Sequence, residues 1–154
     1  MTEAEWLVSG DPELMLDWLA SRVSPRRLRL FACACSRLNW EDLPDQRFHA
    51  VILIGERLAD GPVAKAELDV VQLGFERAVE DLYQEDIPTS VPRQLLFPMF
   101  TSSDAQECAA LAAYQGQFSP SGFEGIEVEL THDQADILRD VAGNPFRAVR
   151  FEQR

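Results

Sequence analysis

The chain has 154 residues, 46% of them hydrophobic, and a formal net charge of −12. That length suits one domain able to bury roughly 68–70% of its unfolded surface, which argues against global disorder. The acidity repels phosphate backbones and so disfavours general nucleic-acid binding, and the aliphatic run Ala50 to Ile54 is far short of the roughly 20 residues of a membrane span.

The start, MTEAEW, carries two acids and no basic segment, so it is not a secretory signal. Three cysteines is an odd number without scaffold spacing, which predicts free thiols in a reducing, cytoplasmic setting. Thr2 and Glu5 form a capping-box pattern for a short first turn with Trp6 and Leu7. Asp11-Pro12 opens a second helix, with Leu14, Met15, Trp18 and Leu19 assigned to one face. Ser24-Pro25 opens a third.

Pro44 and Asp45 precede a helix with Phe48, Val51, Ile52, Gly55, Leu58 and Ala59 at helical spacing, which Asp60-Gly61-Pro62 ends. The next stripe, Ala64, Leu68, Val71, Phe75, Ala78 and Leu82, lasts about five turns. Pro88, Pro92 and Pro98 then forbid a continuous helix. Leu95, Leu96, Phe97, Met99 and Phe100 make that connector apolar, so it packs back over the helices or serves as a contact surface. Ser103 with Gln106 caps a helix whose Ala105, Cys108, Ala109 and Ala112 permit close packing. Ile126, Val128 and Leu130 alternate with glutamates and predict a short strand, with Val149 and Phe151 as its partner in a two-stranded ribbon. Thr131 with Gln134 reads as a capping box, and Gly143 closes that last helix before Asn144-Pro145.

The pattern is therefore that of a mainly α chain: a compact bundle of about five helices with a small β-ribbon near the C-terminus. It reads as a single domain over 1–154, with N-terminal helices in 1–86, a proline-rich apolar connector in 87–101, and C-terminal helices and tail in 102–154.

The stretch RLRLFACACSRLNW, Arg27 to Trp40, holds the most chemistry. Cys33 and Cys35 are roughly 200° apart on a helix, so they cannot share an ion or form a bond with each other. Leu28, Phe31, Cys35 and Leu38 share a stripe, which makes Cys35 core. Cys33 falls with Arg26, Arg29 and Arg37. Positive charge favours thiolate, so an exposed Cys33 would be a reactive thiol; the plainer reading packs it as a small hydrophobe. Arg22 to Arg37 holds five arginines and no acid, so with −12 overall the remainder carries −17. The favoured reading pairs that basic face with acids such as Glu76, Glu80, Asp81 and Glu85, within one molecule or across a dimer. The alternatives are a partner-binding patch and a membrane-surface helix, the latter opposed by the acidic remainder. His49 lies at i+4 from Asp45, and His132 at i−4 from Asp136; each is half of a site at most. No P-loop, Gly-x-Gly-x-x-Gly, His-Glu-x-x-His, Gly-x-Ser-x-Gly or EF-hand loop occurs.

Three stretches carry a resemblance: MTEAEWL at the start, RLRLFACACSRLNW with the later ERLADG, and QADILRDVAGNPFRAV near the end. They resemble a large paralogous family of uncharacterised planctomycete proteins with an MTEAEWL start, an LRLFACACCRR-type helix and an LRDIFGNPFRPV-type segment. The likeness covers the first 61 residues and 134–149. Ser36 stands where many relatives have a second adjacent cysteine, and the middle departs from their Ala/Arg-rich helical insert. The resemblance implies a shared helical scaffold with a variable centre and a modular adaptor or regulatory use, by analogy alone, and it brings no activity.

The leading expectation is a non-enzymatic protein-interaction module whose partner is another protein or a second copy. Its candidate contact residues are Arg26, Arg29, Arg37, Leu95, Leu96, Phe97, Met99 and Phe100. No cofactor, metal or membrane is expected. The first alternative is a small thiol- or carboxylate-dependent enzyme centred on Cys33 or His49. The second is a nucleic-acid regulator using Arg22 to Arg37.

Overall fold

The computed structural model describes residues 1–19, 22–38, 40–85, 96, 105–115 and 126–147, with side chains left out at 42, 106, 114, 115 and 126–132. The described residues are mainly α-helical and contain seven α-helices, against the five or so expected. These are α1 (Glu3–Val8), α2 (Pro12–Leu19), α3 (Pro25–Leu38), α4 (Gln46–Asp60), α5 (Lys65–Gln84), α6 (Ala105–Gln115) and α7 (Ile126–Ala142), with a 3-10 turn at Trp40–Asp42. No described helix is long and apolar enough to cross a membrane.

Local punctuation sets the helix starts and stops. Glu5 N donates to Thr2 Oγ1 at 3.3 Å and Thr2 N donates to Glu5 Oε2 at 2.7 Å, a reciprocal capping box. Leu14 N donates to Asp11 Oδ1 at 3.0 Å, and Arg47 N to Asp45 Oδ1 at 2.7 Å. These side chains satisfy amides that the first helical turn leaves open. Gly143 has φ 70° and its amide donates to the Arg139 carbonyl at 2.8 Å, so α7 ends in the left-handed cap that favours glycine.

The arginine-rich helix is the hub. α3 packs against α4, α6 and α7, α2 packs against α6 and α7, and α5 lies on α4. Leu28, Phe31, Ala32, Cys33, Cys35 and Ser36 are all buried, and on a helix they cover an arc of about 200°. A helix with three neighbours needs so wide an apolar arc, and small residues on it let those neighbours approach closely. α6 supplies the matching small face with Ala105, Cys108, Ala109, Ala112 and Ala113, all buried. Ser36 is fully buried but satisfied, because its hydroxyl donates to the Ala32 carbonyl at 3.0 Å. Phe48 of α4 meets Phe75 of α5 edge to face at 5.6 Å.

The two ends of the described chain are pinned together. Asn144 Nδ2 and Arg147 Nε each donate to Glu3 Oε1 at 2.7 Å. Those bonds hold the Glu3 carboxyl below the usual carboxylate range. Arg139 donates to the Trp6 carbonyl at 3.1 Å and also to the Ser9 carbonyl. α1 has no basic residue in its own last turn, so α7 provides the cation for those open carbonyls. The MTEAEWL and GNPFR stretches, 130 or more residues apart, are thus in contact.

Three expectations are corrected. Residues 126–130 form the first turns of α7 and not a strand; Ile126 and Leu130 also satisfy i, i+4, so five residues fit either period, and the rest of the helix extends back through them. The partner half of the expected ribbon, Val149 and Phe151, lies outside the described residues. Thr131 sits inside α7 and not at its start, and Gln134 is buried with Nε2 donating to the Ala112 carbonyl at 3.3 Å. In α2 the buried face is Pro12, Met15, Leu16 and Leu19, whereas Leu14 is exposed. This short helix is apolar over two adjoining stripes, and the core takes only one.

Candidate functional site

The arginines expected as a binding face have internal work. Arg26 donates through Nε and Nη2 to Asp60 Oδ1 at 3.0 and 2.7 Å. Arg37 forms a two-pronged pair with Glu56, at 2.5 and 2.9 Å, and its guanidinium lies 4.7 Å from the Trp40 ring centre. Arg27 Nη1 donates to the Ala142 carbonyl at 2.6 Å and so caps the end of α7. Arg22 bonds the Trp18 carbonyl at the end of α2 and sits 4.4 Å over the Trp18 ring. Arg29 is likewise engaged and lies beside Cys33.

The acids differ from those expected. Asp60 and Glu56 belong to α4. Asp81 does bind an arginine, but it is Arg47, at 2.7 Å, which also holds Asp45. Glu76 and Glu80 accept from Gln72 and Gln84 on their own helix. The Arg26–Asp60 and Arg37–Glu56 pairs are surface-exposed, so each adds little stability, about 0–1 kcal/mol. They nevertheless balance the charge of α3 locally.

Cys33 is not placed as a reactive thiol. It is 2% exposed and lines a cavity of about 10 Å³ with Arg29, Ala32, Gly55 and Cys108, space for about one water. Burial pushes its thiol up from 9.0 to about 12, and the nearby Glu56 and Cys108 push the same way. Arg37 and Arg29 pull it down, as expected from their spacing, but they are outweighed. Cys35 is buried and pushed up further, again by burial first. All three cysteines are buried and none is in a disulfide.

His49 stacks on Trp40 at 4.0 Å and 12°, with Nε2 3.0 Å from the Trp40 carbonyl. Its i−4 neighbour Asp45 is committed to the Arg47 guanidinium and amide, which hold that carboxyl below its usual range. His49 thus tethers the 3-10 turn to α4. The His132 side chain lies outside the described residues. Among the described residues, no group of three or more His, Cys, Asp or Glu is placed to hold a metal ion.

Of the apolar connector, Leu96 is described and is 0% exposed, within the core and not on a contact surface. A leucine between prolines packs where the helices leave space for it. Leu95, Phe97, Met99 and Phe100 lie outside the described residues.

The open feature includes Leu14 and Trp18, which the sequence pattern groups with Met15 and Leu19 on one face of α2. Where α1 meets α2, a groove of about 500 Å³ is lined by Met1, Glu5, Val8, Ser9, Leu14, Asp17 and Trp18. Val8 is 82% and Leu14 56% exposed. Trp18 forms a pre-set wall: it stacks on Phe146 at 4.7 Å and 17°, and its ring lies 6.0 Å from that of Trp6. Each side brings one acid. The Glu5 carboxylate is fixed by the Thr2 amide, which also holds its carboxyl below the usual range. Asp17 is exposed and makes no ion pair among the described residues. The signal available in the sequence is the second stripe of α2, Leu14 and Trp18 at i, i+4 with Asp17 between them.

No family model, no curated protein and no solved structure matches the chain.

Proposed function

We propose that this protein is a non-enzymatic interaction module that binds another protein, and that it binds on the α1–α2 corner and not on its arginine face. The observation that carries this reading is the groove: Val8 and Leu14 stand open to solvent beside a tryptophan already fixed by Phe146 and Arg22. Ligand grooves are concave, mostly apolar and largely pre-formed, and about 500 Å³ is within their usual size. The arginine face is the weaker candidate, because Arg26 and Arg37 already hold Asp60 and Glu56. The enzyme reading is weaker still, because a nucleophilic thiol needs thiolate and access, and Cys33 has neither. Three buried cysteines, none in a disulfide, support a reducing, cytoplasmic site of action.

The test is capture from native lysate by the parent protein, by a Leu14→Glu variant, and by a variant with Arg26, Arg29 and Arg37 changed to Gln. Circular dichroism checks each fold. The reading expects a partner held by the parent and the arginine variant and lost by Leu14→Glu. A partner lost only by the arginine variant moves the surface to α3. No partner, together with a monomer by light scattering, overturns the module.

A further inference from the structure

The groove has a chemistry that selects its occupant, and the choice of occupant rests on the interaction-module reading. We infer that the α1–α2 groove takes a basic amphipathic helix of a partner protein, with its apolar stripe on Val8, Leu14 and Trp18 and a Lys or Arg flank against Asp17. Val8 at the end of α1 and Leu14 and Trp18 of α2 make an apolar corner, and helix-binding grooves read anchors at i, i+3 or i+4, and i+7. Leu14 and Trp18 are one turn apart, about 6 Å along α2, which matches successive anchors of a helix lying beside them.

Charge narrows the choice. Glu5 stands on the α1 side and Asp17 on the α2 side, so a basic residue on the Asp17 flank of the guest meets a carboxylate. Glu5 is held in place by its own capping bond. Asp17 has no ion pair of its own among the described residues. The lining holds no lysine, arginine or histidine side chain; the Met1 amino group already acts on Glu5, so Asp17 is the acid left for the guest, and Arg22 lies over the Trp18 ring. With −12 on the whole chain, long-range attraction also favours a cationic partner. The same charges reject an acidic peptide, a nucleic-acid backbone and an anionic lipid surface. A second copy of this chain is a poor guest, because the strongly basic helix among its described residues, α3, already buries its apolar arc in the core.

The probe is a synthetic 18-residue Lys/Leu peptide with leucines at i, i+3, i+4 and i+7, about 27 Å long as a helix. A control has the same composition, shuffled so that the leucines fall all round the helix. Binding is followed by calorimetry and tryptophan fluorescence at low and moderate salt. The inference expects saturable 1:1 binding of the patterned peptide and at least about tenfold weaker binding of the shuffled one. Leu14→Lys abolishes binding, and Val8→Lys provides the same test from the other helix should Leu14→Lys not fold.

Glu5→Gln with Asp17→Asn weakens binding about threefold to tenfold and flattens its salt dependence, since each rim charge contributes modestly. Glutamine can keep the capping bond, so that variant leaves α1 intact. Equal binding of both peptides reduces the effect to plain charge attraction and overturns the inference. So does a salt dependence that the two acid replacements leave unchanged. If the peptide does not bind while a lysate partner still depends on Leu14, the interaction module stands and the basic-helix occupant falls.

Discussion

Alkylation of Cys33 is the prediction that separates the structural reading of the arginine-rich helix from the catalytic one. Iodoacetamide attacks thiolate, so the rate follows the ionised fraction and access. With the thiol raised from 9.0 to about 12, the ionised fraction at pH 8 falls from about one in ten to about one in ten thousand, a loss of about a thousandfold. Access is a separate barrier, because at 2% exposure the reagent must wait for the α3–α6 packing to open. The assay is native labelling at pH 8, quenching, digestion and mass spectrometry, with fragment ions separating Cys33 from Cys35. The expected native rate is at least about a thousandfold below that of the urea-unfolded chain. Labelling of Cys33 within tenfold of the unfolded rate, with Cys35 still protected, would refute the burial argument and revive the reactive thiol. The same burial has a stability signature. The folded thiol holds its proton more tightly than the unfolded one, so its stabilising contribution is complete below pH 9 and is lost as pH rises from about 9 to 12. Each buried thiol then costs about 1.4 kcal/mol per pH unit, and Cys33→Ala should remove its share of that alkaline slope in urea melts.

Arg139→Leu keeps the apolar stem but leaves the Trp6 and Ser9 carbonyls without their cation, and should cost about 2 kcal/mol by denaturant melt; a loss below about 0.5 kcal/mol would mean water replaces it freely. Gln134 is buried with Oε1 unpartnered among the described residues, so Gln134→Leu should fall within about 1 kcal/mol of the parent, or above it, whereas Gln134→Glu should lower stability by more than about 2 kcal/mol at neutral pH. Equal effects of the two would show that the orphaned oxygen carries no penalty. Gly143→Ala should cost about 1 kcal/mol from its φ of 70° alone, because an added methyl meets nothing within 4 Å; a neutral result would mean α7 frays there.

Legibility follows the range of the interaction. Thr2, Asp11, Asp45 and Gly143 act within four residues of their own position, and each stands in the fold where its residue type places it. Residues 126–130 are ambiguous for a local reason, since five residues fit both a period of two and a spacing of four. The Cys33 environment depends on how many neighbours α3 has, and that number is set by α6 and α7, which lie some 70 to 110 residues further on. Counting the small residues of α3 and α6 together, Ala32, Cys33, Ser36, Cys108, Ala109 and Ala112, would suggest that these two helices meet. The guanidinium caps of Arg27 on Ala142 and Arg139 on Trp6 join residues more than 100 positions apart, and nothing in the local pattern announces them. The groove is hidden because α2 is apolar over two stripes, and its pattern alone does not say that the core leaves Leu14 outside.

The proposed division of labour has the arginines of α3 building the fold and the α1–α2 corner meeting the partner. Hydrogen exchange of the intact protein, with and without the patterned Lys/Leu peptide, tests it most directly. The prediction is added protection over residues 1–19, with α3 residues 25–38 already slow in the free protein and unchanged by the peptide. Added protection centred on 25–38, with 1–19 unchanged, would contradict it.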